Sequence, residues 1–404
     1  MPWLYMVITP RYGDKSLRIT AIRFLLTLLV TSVVTPLLAQ EYQTPATQAI
    51  MIDGETGAIL FEKDSSARFE PASLTKLMTA EVVFHLLATG KLTPTQTFKV
   101  STFAWKTGGA PSRTSTMFAA VNKEVSVLDL LRGMIIANGN DAAITLAEGI
   151  AGSESEFAKL MNSRAVELGL LNTHFVNATG LPQEGQYTTA KDIAKLSQHL
   201  AANYPHLFQL YKEPEITWNK ITQRNKNPFL TLYKGSDGLV NAYSEKFGFS
   251  TAIIVNRNNR QLFLVMNGTK SNKERTAEAI RLLDWGYSSF SRKMVFDKEQ
   301  TVGYAHVFGG EKSKVPLIVK EPVGIMLYQQ KNTMIRAKIV YQGPLNAPVK
   351  EGVAVGTLKI YFDKSLLIES PVFTAENVEE TGLTGKTKDA LYELTVGRLR
   401  HYFR

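Results

Sequence analysis

The sequence predicts an α/β or α+β chain: a mainly antiparallel sheet with helices packed on it, followed by a small all-β sandwich. Three observations carry this. Strand signals stand at both ends of a long helical block, at 48–62 and 248–267, which calls for one sheet assembled from distant sequence with helices packed on it. Three capping boxes, Ser126 with Asp129, Ser153 with Glu156 and Thr189 with Asp192, each open an apolar-periodic run inside that block. From about Lys293 to Phe373 the pattern changes to short Val/Ile-rich runs (PLIVK, GIMLY, IRAKIVYQ, GVAVGTLKIYF) separated by Pro, Gly and Asn.

Taken in order, the chain begins with Arg11, Lys15, Arg18 and Arg23 against a single acid, Asp14, and then the 16 apolar residues FLLTLLVTSVVTPLLA from Phe24 to Ala39. That run is short for a spanning helix, which needs about 20 residues. A basic segment before a short apolar one is the pattern of a secretory signal over residues 1–39, with an uncleaved anchor as the alternative. QAIMID and AILFEK then read as two strands joined by the turn Gly54-Glu55-Thr56-Gly57. A helix is expected from Pro71 to about Thr89, and Trp105–Gly109 with Pro111-Ser112 reads as a mobile loop. GFSTAIIV and RQLFLVM flank Asn256-Arg257-Asn258-Asn259 as a hairpin, and 273–287 reads as a last helix.

Domain limits follow at 40–291, 292–375 and 376–404. In the last segment Tyr392, Val396, Leu399, Tyr402 and Phe403 fall on one helical stripe flanked by Arg398, Arg400 and Arg404. Such a helix either lies in a bilayer interface or docks on its own domain. Basic residues number 46 against 36 acidic, a net charge of +10. More than half of that excess sits at the two ends, which suits an anionic membrane surface better than a nucleic-acid groove. Zero cysteines exclude disulfides, thiolate nucleophiles and Cys-based metal sites. The six histidines form no His-Glu-x-x-His pattern, and there is no Gly-x-Ser-x-Gly elbow or phosphate-binding loop. No metal or organic cofactor is expected.

The chemistry points to Pro71-Ala72-Ser73-Leu74-Thr75-Lys76. Proline just before a helix start sets Ser73 in the first turn, near the positive end of the helix dipole. Lys76 lies one turn on, on the same face. A serine hydroxyl is a weak nucleophile until a neighbouring base takes its proton, and a lysine serves once desolvation leaves its amine neutral.

With that tetrapeptide the chain resembles the low-molecular-mass penicillin-binding proteins, the serine-type D-alanyl-D-alanine carboxypeptidases of β-lactamase-like fold. The blocks that carry the resemblance are MIDGETGAILFEKDSSARFEPASLTKLMT, ANGNDAA at 137–143, HFVNATGLP at 174–182, YTTAKD at 187–192 and DGLVNAYSEKFGF at 237–249. The family pattern is Ser-x-x-Lys, Ser-x-Asn and Lys-Thr-Gly. The resemblance implies that Ser73 is the nucleophile, Lys76 its base and Asn140 the substrate-holding asparagine. Asn138 stands where the family has serine. Val240-Asn241-Ala242 stands where Lys-Thr-Gly belongs, so this substrate-binding strand lacks its charge.

It further implies an exported, periplasmic enzyme that trims D-alanine from peptidoglycan pentapeptides and binds β-lactam antibiotics. The tail would hold it to the outer face of the inner membrane, and no nucleic acid is involved. The altered second and third motifs motivate an alternative, a catalytically impaired relative that serves as a peptidoglycan-binding scaffold.

Overall fold

A computed structural model describes residues 4–10, 42–328, 335–362, 365–382 and 387. The chain forms two compact units, one of Tyr42–Ser289 and one of the N-terminal segment with Phe290–Arg404.

The first unit is built on five strands: β1 Gln48–Asp53, β2 Ile59–Lys63, β3 Ser236–Ser244, β4 Gly248–Arg257 and β5 Arg260–Thr269. Their order is β2-β1-β5-β4-β3, antiparallel throughout. The sheet therefore joins the two distant strand pairs read from the sequence. Every residue of β1 is buried, because both faces are covered: Ile50 and Ile52 face the main core. Met51 packs on the other face so closely against Gly286 that a Cβ there would meet its Cε at 2.5 Å. The hairpin turn is Asn258-Asn259, both in left-handed conformation (φ +54° and +57°), the geometry a two-residue turn needs to match strand twist.

Between and after these strands lie α1 Thr75–Ala88, α2 Thr102–Gly108, α3 Val127–Ile136, α4 Asn140–Ala151, α5 Glu154–Glu167, α6 Ala190–Asn203 and α7 Asn272–Ser289. The three capping boxes open α3, α5 and α6. Ser126, Ser153 and Thr189 accept from the backbone N–H of Asp129, Glu156 and Asp192 at 3.1, 3.2 and 3.0 Å. Each such cap stabilises its helix by about 1 kcal/mol.

The expected loop at 105–112 is instead helical. Ser101 caps α2 by accepting from Ala104 N–H. Its glycines are there for close approach: a Cβ on Gly108 would meet the Asp141 backbone nitrogen at 2.4 Å, and one on Gly109 the Trp105 carbonyl at 2.5 Å.

The second unit has its own core, including Val302, Val315, Leu317, Ile325, Ile339 and Leu358. It comprises a seven-stranded sheet and a pair, Phe290–Phe296 with Val323–Tyr328. Leu4–Pro10 runs parallel to Ile335–Tyr341 at one edge of the large sheet. Val378 is buried and exchanges backbone hydrogen bonds with Val349 at 2.9 and 2.8 Å, so this unit reaches past 375, the expected end of the β domain. The apolar run Phe24–Ala39 and the tail stripe from Tyr392 onward lie outside the described residues.

Candidate active site

Pro71 precedes a 3-10 turn, Ala72–Leu74, that runs straight into α1. Ser73 is at the centre of that turn, which is tighter than the single helix expected. Ala72 holds φ +45°, an uncommon conformation for a residue with a Cβ, costing on the order of 1–3 kcal/mol.

Its support is the segment Asn177–Pro182, which reads from sequence as a simple turn. Gly180 (φ +76°) lies so close that a Cβ there would stand 1.7 Å from the Ala72 carbonyl oxygen. Thr79 Oγ1, one turn into α1, donates to the Ala178 carbonyl at 2.7 Å, and Ala178 N–H donates to the Glu154 carboxylate at 3.0 Å. Residue 178 is thus pinned from both sides.

Lys76 is 3% exposed, and its Nζ lies 3.4 Å from Ser73 Oγ. Burial pulls its pKa from 10.5 down to about 7, against the opposing charges of Asp141 and Glu154. A neutral amine is therefore available near neutrality. Asn138 donates from Nδ2 to Ser73 Oγ at 3.2 Å; it sits at φ +53°, which asparagine tolerates better than most residues. Asn140 opens α4 and donates to Thr114 Oγ1 at 3.0 Å.

Asp141, fully buried, holds the facing wall. It accepts from Thr116 Oγ1 at 2.6 Å and from the N–H groups of Met117 and Ala119 at 2.9 and 3.0 Å. Burial pushes its carboxyl pKa up, and these hydrogen bonds pull it back.

The other wall is β3, the edge strand of the sheet, paired as Val240 with Ala252, Asn241 with Thr251 and Ala242 with Ser250. Asn241 and Ala242 line the cleft. Val240, 7% exposed, packs in the main core and does not line it; an apolar side chain on that strand gains most by leaving water. Asn241 Oδ1 accepts from Thr251 Oγ1 at 2.6 Å, while its buried Nδ2 has no hydrogen-bond partner. Lys234 and Lys246, the cations nearest that strand in sequence, do not line the cleft.

The cleft measures about 670 Å³. Among its lining residues is Arg275, in the first turn of α7 and 5% exposed. Its guanidinium bonds Asn272 Oδ1, its Nε is buried without a partner, and burial lowers its pKa to about 10. Sequence reasoning missed Arg275, Gly180, Glu154 and Asp141. Arg275 did leave a signal, since a cation in the first turn of a helix opposes the dipole. The close approach of Gly180 to Ala72 left none.

The structure therefore brings Ser73, Lys76 and Asn138 within contact, with Asn140, Asn241 and Ala242 on the same cleft. Against known proteins, residues 35–271 match the model of the D-alanyl-D-alanine carboxypeptidase family. Residues 290–380 match the C-terminal domain of penicillin-binding protein 5. D-alanyl-D-alanine carboxypeptidase DacC of Escherichia coli is 34% identical over 87% of this chain and 89% of its own length. The crystal structure of penicillin-binding protein 5 from Haemophilus influenzae superposes with a TM-score of 0.75 at 30% identity, covering 84% of this chain and 99% of that one. Penicillin-binding protein D2 from Listeria monocytogenes, solved in its cefotaxime-bound form, gives a TM-score of 0.55 at 26% identity over 61% of this chain and 99% of its own.

Proposed function

The chain belongs to the D-alanyl-D-alanine carboxypeptidase family, and from that premise we propose that it removes the terminal D-alanine of peptidoglycan pentapeptides through an acyl-enzyme on Ser73. Neutral Lys76 takes the Ser73 hydroxyl proton as Oγ attacks the penultimate D-alanyl carbonyl. The carbonyl oxygen becomes an oxyanion facing backbone donors, the Ser73 N–H among them. Collapse breaks the C–N bond, and the ammonium returns its proton to the departing amine. Water then attacks the ester, Lys76 again holding the proton, to free Ser73 and the shortened peptide.

Asn138 donates to Oγ and stabilises it as the proton leaves, but an amide cannot relay a proton; Lys76 carries that alone. Arg275 and the free amide of Asn241 take the substrate carboxylate, replacing the charge that Val240 does not provide. Without that replacement, a missing charge-assisted contact of about 1.5–3 kcal/mol would slow the step by about 10- to 150-fold.

The observation that carries this reading is the buried amine 3.4 Å from a serine hydroxyl, with a pKa near 7. Labelled penicillin tests it. The wild type forms a covalent adduct, Ser73→Ala forms none, and a pentapeptide releases D-alanine. The apolar placement of Val240 favours a second reading, a peptidoglycan-binding scaffold; an unlabelled wild type would favour it.

Residues 1–39 direct the chain out of the cytoplasm in this reading, the two domains fold separately, and the basic tail meets the inner membrane. Deleting 386–404 then moves the protein from the membrane fraction to the soluble one. Among the described residues no helix is long and apolar enough to cross a membrane.

A further inference from the structure

Several cations of the first unit pair with carboxylates: Arg132 with Glu213, Arg164 with Glu81, Arg260 with Asp53 and Lys212 with Asp237. The cleft holds three more cations. Arg113, Lys226 and Arg275 line it, none of the three is paired with a carboxylate among the described residues, and no lining residue is acidic.

The three charges divide between the two walls. Arg275 belongs to α7, beside Asn272. Lys226 belongs to the helical wall, where its backbone N–H donates to the Ile136 carbonyl at 2.9 Å, two residues before Asn138. Arg113, held at φ +57° after the 110–112 turn, adjoins Thr114, the acceptor for Asn140. One carboxylate at the peptide terminus satisfies Arg275 and leaves two unneutralised cations on the helical wall. Two like charges on one rim attract an anion more strongly than either does alone.

We infer that the site selects acyl donors carrying a second carboxylate, on the acyl side of the scissile bond, recognised by Arg113 and Lys226. This deepens the acyl-enzyme reading and rests on it. The ligand class is an acidic peptide: a stem peptide whose acyl portion keeps a free side-chain carboxylate rather than its amide.

Two penicillins that share the ring carboxylate separate this from acylation itself. Benzylpenicillin has a neutral acyl side chain, and carboxybenzylpenicillin has a carboxylate there. With the full-length wild type at low salt, the second acylates three- to tenfold faster. That ratio falls to about one in Arg113→Ala/Lys226→Ala and in 0.5 M salt, as expected for exposed charges. It persists in Lys234→Ala, a lysine outside the cleft. A wild-type ratio at or below one while benzylpenicillin still labels Ser73, or a ratio untouched in the double variant, overturns the selectivity and leaves the acylation reading standing. If neither compound labels Ser73, acylation fails, and selectivity is then read on Ser73→Ala as the Kd of a pentapeptide against its side-chain amide. Equal affinities there overturn the inference too.

Discussion

At the scale of single residues, the proposed chemistry turns on whether Lys76 is charged. Its pKa of about 7 in the folded chain lies below the ordinary 10.5 because the amine is buried. Acylation by penicillin should therefore rise with pH through about 7 and level off above it, a profile read from adduct formation rates. Stability moves the same way. Between pH 7 and 10.5 the unfolded chain holds more protons at this residue, so unfolding free energy from Lys76 rises with pH across that window. Below 7 the penalty is complete, on the order of 5 kcal/mol at about 1.4 kcal/mol per unit. Denaturant titrations of Lys76→Met should show that slope removed. Glu154 is the second lever, since its charge raises the pKa of Lys76. Glu154→Gln keeps an acceptor for the Ala178 N–H but loses the charge. The acylation midpoint should move below that of the wild type, and a midpoint that moves upward would show Glu154 to act otherwise.

At the scale of elements, what was legible in the sequence was local. A hydroxyl three residues before an acid announces a helix start from neighbours alone, and α3, α5 and α6 begin where Ser126, Ser153 and Thr189 place them. The strands of the sheet were equally plain, because runs such as QAIMID are apolar enough to be buried on both faces. Helix α2 was not legible. Gly108 and Gly109 carry the composition of a loop, and the reason Gly108 is glycine lies in Asn140–Asp141, which only the fold brings near. The Ser73–Lys76 pair was legible because its spacing sits within one turn, whereas Arg275 and Gly180 join the site through contacts between distant segments. Gly180→Ala should be severe. Its Cβ has nowhere to go beside the Ala72 carbonyl, and overpacking with a left-handed backbone costs about 2–4 kcal/mol. Thermal unfolding should report the loss, and acylation should fall with it. On β3, Val240→Lys/Asn241→Thr/Ala242→Gly should accelerate acylation; an unchanged rate would place the substrate strand in a different register.

At the scale of the whole molecule, two cores divide the work. Tyr42–Ser289 holds every residue of the cleft, and the strands after Phe290 enclose an apolar cluster of their own. A chain ending at Ser289 should therefore fold and, where the full protein is acylated, be acylated at a similar rate; the adduct assay on that fragment checks it. The all-β character of the second unit was readable from Val/Ile runs broken by Pro and Gly. Its extension to Val378 was not, since a single valine pairing with Val349 leaves no periodic trace.

The closeness of Gly180 to Ala72 has one more consequence. The two residues are about a hundred positions apart, yet the turn that presents Ser73 leans on the later segment. During synthesis the serine emerges long before its backing does. It is then an ordinary alcohol in a relaxed chain, with no desolvated amine beside it, and so harmless to esters and amides it meets on the way. If the proposed mechanism holds, the serine becomes reactive only once the 177–182 segment backs its turn, which would couple completion of the fold to the birth of the nucleophile.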